Sequence, residues 1–143
     1  MNTQFKAARV ENYRVSDRSA ADIRYLVIHF TANDGDTAKN NADYFAREAP
    51  GVSAHFFVDE KEIWQSVREK DVAWHCGTRG MYFHPYCRNA NSLGIELCSR
   101  KQGGKYYFTP ETVKNARNFV RFLMKKYDIP LANVVRHYDV THK

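Results

Sequence analysis

Three residues of this chain combine types and positions that could do hydrolytic chemistry: His29, Glu96 and His137. His29 closes the apolar run "LVIH", and His137 closes "VVRH". Glu96 interrupts the alternation of Leu93, Ile95 and Leu97 from the opposite face of the strand. A neutral imidazole suits Zn2+, and a nearby carboxylate can take a proton from a water that a metal polarises. Singly, a strand-end histidine is more commonly a satisfied core residue than a ligand. A half-buried carboxylate is harder to dismiss, because it needs a partner or a neutralising proton. Two imidazoles and an acid, each near the C-terminal end of a strand, can converge on one patch of a sheet. With no HExxH pair and no CxxC in the chain, spacing alone leaves that convergence a suggestion.

The elements that must position these residues alternate between strand and helix. "RYLVIHF" (24–30) reads as a buried strand by length and β-branched content. "DTAKNNADYFARE" follows as a helix, with Asp36 as N-cap and Ala38, Ala42 and Phe45 on one face. "SAHFFVD" and "EIWQSV" flank the polar turn "DEKE", a hairpin signal. The stretch from Arg68 to Ala90 is long, irregular and aromatic, and loops of that length in a compact domain are usually functional or disordered, the aromatic content here pointing to a packed one. Trp74, Tyr82, Phe83 and Tyr86 would make the side of a groove, or else a satellite cluster beneath the loop. "TPETVKNARNFVRFLMKKYD" is the clearest helix, capped by Thr109, with Pro110 in the first turn. Val113, Ala116, Val120, Leu123 and Tyr127 form its apolar stripe. A last strand, "NVVRH", ends at His137. The sum is an α/β fold, one domain over 1–143, with a central mixed β-sheet flanked by helices.

At 143 residues, 43% hydrophobic and 27% charged, the chain can bury a core and belongs to the soluble globular class. No apolar run approaches the roughly 18 residues of a membrane span, so no membrane insertion is expected. The N-terminus lacks the apolar stretch of a secretory signal. Synthesis in the cytoplasm, with any outside action reached by another route, is the expectation. The formal charge of +6 points to a polyanionic partner, nucleic acid or an anionic cell wall. Nucleic acid is not favoured, since no helix-turn-helix, finger or basic-helix pattern is present. The densest basic cluster, "RFLMKK", reads as a solvated helix face. Cys76, Cys87 and Cys98 are too few for a disulfide scaffold and read as reduced thiols. A Cys76–Cys87 bridge is the alternative, weakened by the odd count.

In order along the chain, "VIHFTA", "VSAHFFVDEKEIWQSV", "AWHCG", "NSLGIEL" and "RHYDVTHK" resemble the motifs of zinc-dependent N-acetylmuramoyl-L-alanine amidases. That group includes amidase-type phage lysozymes (endolysins) and peptidoglycan recognition proteins. The resemblance runs from about Tyr25 to the last residue. It implies a zinc groove at one face of the sheet. It also implies hydrolysis of the amide between the lactyl group of N-acetylmuramic acid and the L-alanine of the stem peptide. Peptidoglycan is the implied partner, met by a monomer.

Residue by residue, the resemblance makes His29 and His137 ligands of Zn2+ and Glu96 the general base. A second branch carries a tyrosine at the position of Ala54 and no acid at that of Glu96, so this chain sides with the glutamate branch. Lys143 matches a basic residue near the substrate carbonyl, Trp74 and His75 match groove residues, and Asn91 is grouped with them as substrate-binding. Asp139 is implied as a partner for a ligand histidine, and His55 is read as structural. The third ligand of the family, a Cys or Asp, falls about two residues beyond Lys143, so the natural chain is expected to continue, with His142 as the stand-in otherwise. A peptidoglycan-binding module without catalysis is the alternative function.

Overall fold

Alternation along the central strands sorts their side chains onto two unlike faces, and that sorting builds the molecule. The computed structural model describes residues 2–77 and 80–142. Its strands are β1 (Gln4–Phe5), β2 (Tyr13–Arg14), β3 (Tyr25–Phe30), β4 (Phe56–Val58), β5 (Ile63–Gln65), β6 (Val72–Ala73), β7 (Ser92–Leu97), β8 (Arg100–Gln102), β9 (Lys105–Tyr107) and β10 (Val134–Arg136). The helices are α1 (Ala38–Arg47), α2 (Pro110–Tyr127) and α3 (His137–Thr141). Six strands form one mixed sheet in the order β1-β5-β4-β7-β3-β10. Its four strands β4, β7, β3 and β10 run parallel, and β5 returns antiparallel to β4 as the expected hairpin.

One face of this sheet carries the main core. Leu26 on β3, Phe56 and Val58 on β4, and Leu93 and Ile95 on β7 pack with Ala116, Phe119 and Leu123 of α2. Thr109 caps α2 by accepting from the Thr112 amide, with Pro110 opening the helix, as the sequence predicts. The buried stripe differs from the predicted one: Phe119 is buried, whereas Val113 is only partly covered. Counting in threes and fours from Val113 steps past Phe119, which lies on the edge of the same face.

The other face is covered piecemeal. Ala38 and Phe45 of α1 meet Ala54, Phe57 and Cys98, while Val140 of α3 meets Tyr25, Val27, Cys76 and Cys87. All three cysteines are free and buried, so the reduced-thiol reading holds. The start of α1 is one residue later than predicted, because Thr37 is the cap, exchanging bonds with Asn40. Asp36 instead gathers the Thr31 hydroxyl and the side-chain amides of Asn33 and Asn41. The stretch predicted as irregular holds β6, paired with β2. Among the described residues no helix is long and apolar enough to cross a membrane.

Truncating Phe119 removes a ring stacked edge-on against Phe56 at 4.7 Å. Phe119→Ala should therefore cost about 3–5 kcal/mol in denaturant unfolding, and Val113→Ala about 1 kcal/mol or less. Equal losses would put the stripe back where the sequence alone draws it.

Candidate active site

The second face of the sheet is nearly bare at its centre, and there the polar residues meet. β3 and β7 run in parallel register with His29 opposite Glu96 and Val27 opposite Gly94. The missing side chain at Gly94 leaves room for an imidazole from the loop. A Cβ on Gly94 would stand 2.6 Å from Cγ of His75. The buried His75 ring thus lies flat on the strand, and its Nδ1 sits 3.0 Å from Nε2 of His29.

The protons of this pair follow from their neighbours. Ser92 donates its hydroxyl to the Arg88 carbonyl at 2.7 Å, so it accepts from Nε2–H of His75 at 3.2 Å. Nδ1 of His75 is then an acceptor, and the Nε2–H of His29 donates to it. That relay leaves the lone pair of His29 on Nδ1. The ring of His137 lies 4.8 Å from that of His29, centroid to centroid. Burial, with the charge of His137 adding to it, pushes the His29 pKa down to about 3. His75 is likewise held well below the usual range, first by burial and then by His29. Both rings are therefore neutral at physiological pH.

Glu96 lines two cavities, one of about 630 Å3 that it shares with His29, His75, His137 and Trp74 and one of about 640 Å3 on its other side. On one side stand Val52, Ser53 and Trp74; on the other Asn40, Asn41 and Tyr44 of α1. Burial, with a smaller contribution from Asp36, raises the Glu96 pKa to about 8. Such a carboxyl can exchange a proton near neutral pH.

His29, His137, Glu96, Trp74 and His75 are thus brought together as the sequence predicts. Lys143 lies outside the described residues. Asn91 is not brought to the groove. Its side chain bonds the Arg88 amide and the Tyr86 carbonyl, bracing its own loop. The residue of that turn that does reach the groove is Asn89, whose Oδ1 accepts from the amides of His75 and Cys76 and so holds the His75 backbone. Asn89 and Gly94 were both missed, although the lone Gly in "NSLGIEL" signals a close backbone approach.

The last strand stops at Arg136, and His137 opens α3 rather than ending a strand. Asp139 explains the change: its carboxylate accepts from the Arg136 amide and grips the Arg136 guanidinium at 2.8 Å. It shapes the turn that presents His137, in place of the predicted bond to a ligand histidine. His142 stacks between Phe83 and Tyr138, with the Phe83 ring 3.6 Å away, which excludes it as a stand-in ligand here. His55 is structural as read, its Nδ1 accepting from the Gly94 amide and its Nε2–H donating to the Asp71 carbonyl. Of the four loop aromatics, only Trp74 lines the groove: Tyr82 lies under Arg88, Phe83 under His142, and Tyr86 faces a separate cavity. Among the described residues no group of three His, Cys, Asp or Glu side chains is placed to hold a metal.

Comparison with known proteins agrees with this geometry. A family model described as N-acetylmuramoyl-L-alanine amidase matches residues 19–143. CwlL of Bacillus licheniformis, named an N-acetylmuramoyl-L-alanine amidase, is 34% identical over 143 residues, covering 94% of this chain and 39% of its own length. The chain therefore spans well under half of that relative. The catalytic domain of XlyA superposes with a TM-score of 0.78 at 30% identity, over 100% of this chain and 88% of that one. AmiD from E. coli, solved with the substrate anhydro-N-acetylmuramic acid-L-Ala-D-gamma-Glu-L-Lys, gives a TM-score of 0.65 at 28% identity, over 89% of this chain and 52% of AmiD.

Two outcomes follow from the packing. Gly94→Ala forces the His75 ring off the strand, and overpacking of this kind costs about 1–3 kcal/mol. Thermal unfolding should show that loss, and histidine NMR should show the His29–His75 proton relay broken. An unshifted spectrum would mean that His75 can yield without letting go of His29. The raised pKa of Glu96 predicts a pH dependence in metal-free protein. The folded state holds this proton more tightly than the unfolded chain, whose ordinary value is 4.5. Its contribution is fully present below about pH 4.5 and is lost as pH rises through about 8. Glu96→Gln removes that loss, so in chelator its melting temperature should match the parent near pH 4.5 and exceed it at pH 9. A constant gap across this range would contradict the shift.

Proposed function

The chain belongs to the N-acetylmuramoyl-L-alanine amidase family, and from that premise we propose that it hydrolyses the amide between the lactyl group of N-acetylmuramic acid and the L-alanine of peptidoglycan stem peptides, with Zn2+ as cofactor. The observation that carries this reading is one juxtaposition. The imidazoles of His29 and His137 lie side by side, and Glu96 stands one strand spacing from His29, on its other side, in the same groove. The substrate bound to AmiD supports the choice of substrate class. Action at the cell wall follows from that class.

The donor set fits zinc as far as it goes. His29 is neutral with its lone pair fixed on Nδ1 by the relay through His75 and Ser92, which is how a ligating histidine is commonly oriented. In this reading His29 and His137 are two of the residues that would hold the ion. When bound, Zn2+ supplies a fixed positive charge that polarises water and the scissile carbonyl.

The chain's own residues do the rest. Glu96, its pKa raised by burial to about 8, takes the proton of the attacking water in its ionised form. It returns that proton to the alanine nitrogen as the C–N bond breaks, which leaves a carboxylate on the lactyl group and a free amino terminus on the peptide. Trp74 and Val52 line one side of the groove and offer apolar surface beside the amide. Lys143 is assigned to the negative charge developing on the carbonyl oxygen.

Glu96→Gln keeps the shape of the side chain but cannot accept the proton. It should lower the release of amino termini from purified walls by about 100-fold or more without unfolding the protein. Undiminished release would remove Glu96 from the mechanism. Elemental analysis gives the companion result. About one zinc per chain is expected, falling sharply in His29→Ala. No zinc in either protein would favour the binding-module reading.

A further inference from the structure

The +6 charge of the chain is not spent in the groove. At the opposite, N-terminal ends of β3 and β7 lies a second cavity of about 590 Å3, lined by Arg14, Arg18, Arg24, Tyr25, Tyr86 and Asn91. Its three arginines come from three segments: β2, the loop after it, and the residue before β3. Arg18 forms the half-buried floor. Its guanidinium donates to the carbonyls of Glu69, Asn89 and Ala90 and to no carboxylate. Arg14 and Arg24 are exposed, and among the described residues neither has a side-chain hydrogen bond or ion pair. One acid, Asp22, also lines the cavity, but its carboxylate accepts from the amide of Ser19 and caps its own turn. Nearby Asp71 is engaged by the Ser16 amide and Lys70.

Two free guanidinium groups and one fixed one, around a roomy open cavity, suit an anion with acceptor oxygens in several directions. A planar carboxylate is satisfied by a single bidentate arginine, whereas a tetrahedral phosphate can be shared among several. Tyr86, 70% exposed, adds an aromatic surface of the kind on which a sugar or polyol can lie. The cavity is close to the groove but separate from it. The 3-10 turn Asn89–Asn91 divides them, with Asn89 facing the groove and Ala90 and Asn91 facing the cavity. Along β3 the four steps from Tyr25 to His29 span about 13 Å.

We propose that the cavity of Arg14, Arg18 and Arg24 is an accessory binding site for phosphate groups, taken from a phosphodiester polymer attached to the wall. The polymer as source rests on the wall-hydrolase reading; the phosphate chemistry rests on the cavity alone. The site holds the chain on the polymer while the groove works on peptidoglycan a short distance away.

The test is co-sedimentation at low salt with walls that retain their phosphodiester polymer and with walls stripped of it by hydrofluoric acid. Arg14→Glu with Arg24→Glu should reduce binding to the polymer-bearing walls about tenfold or more, the scale of two lost charge-assisted contacts. Binding to stripped walls should not change. Lys114→Glu with Arg117→Glu, on the exposed side of α2, makes the same change in net charge and should leave both unchanged. Arg14→Gln with Arg24→Gln repeats the loss with a milder change, and coincident melting curves show that each variant is folded. Equal binding by the arginine variants and the parent, or an equal loss in the α2 control, overturns the proposal. Tight binding of inorganic phosphate in calorimetry, with no preference between the wall types, makes this a free-phosphate site and overturns the polymer. A parent protein that ignores stripped walls yet holds polymer-bearing ones through Arg14 and Arg24 counts against peptidoglycan as substrate and keeps the anion site.

Discussion

The absence of a side chain at Gly94 is the constraint on which the groove depends. A sheet face left bare at its centre can be filled by a neighbouring element, and here the filler is an imidazole rather than an aliphatic group. His75 lies on Gly94, bonds Ser92 below and accepts from His29 beside it. Asn89 fixes the backbone that delivers His75, and His55 fixes the backbone of Gly94 itself. A chain of buried polar contacts, each satisfied by the next, thus runs from the loop through the sheet to His29. Such networks are costly when one member fails, which explains why so much of this face is given to holding one ring in place.

Stability comes from the opposite face. Leu26, Phe56, Leu93, Ile95, Phe119 and Leu123 supply an apolar core between the sheet and α2, and this core offsets the burial of His29, His75 and Glu96. The period-two alternation of a strand makes the division possible. Leu93, Ile95 and Leu97 belong to the core, while Ser92, Gly94 and Glu96, interleaved with them, belong to the site. Burial then tunes both kinds of group at once. It strips the proton from an imidazole and returns one to a carboxyl, giving a neutral donor and a base near neutral pH side by side.

The sequence made most of this scaffold legible because it depends on local rules. Strand alternation, the hairpin turn and the capped amphipathic helix each show in a window of a few residues. His29, His137 and Glu96 stood out because they break such patterns. What stayed hidden was set by side-chain-to-backbone bonds between distant segments. Asp36 and Thr37 are both good caps, and contacts to Thr31, Asn33 and Asn41 decide between them. Asn89 and Asn91 sit two apart in one turn, and only the approach of β6 and the loop determines which one faces the groove. The turn to α3 at His137 rests on Asp139 gripping Arg136, which spacing alone could not separate from a bond to histidine.

The placement of charge follows from the same division of the sheet. A groove that lowers an imidazole and raises a carboxyl is poor in fixed positive charge: among the described residues neither Arg nor Lys lines the side that holds His29, His75 and His137, and Arg47 lines the side toward α1. The free arginines are gathered instead at the other end of the same strands, behind the turn Asn89–Asn91. This separation is physically useful. At about 13 Å along β3 the exposed cations of that cluster are largely screened from His29, since that distance exceeds the screening length of roughly 8–10 Å at physiological ionic strength. Two contacts with a surface, one weak and electrostatic and one specific, also raise residence without tightening either alone. The turn that separates them is therefore where attachment to the polymer and access to the amide are set relative to each other.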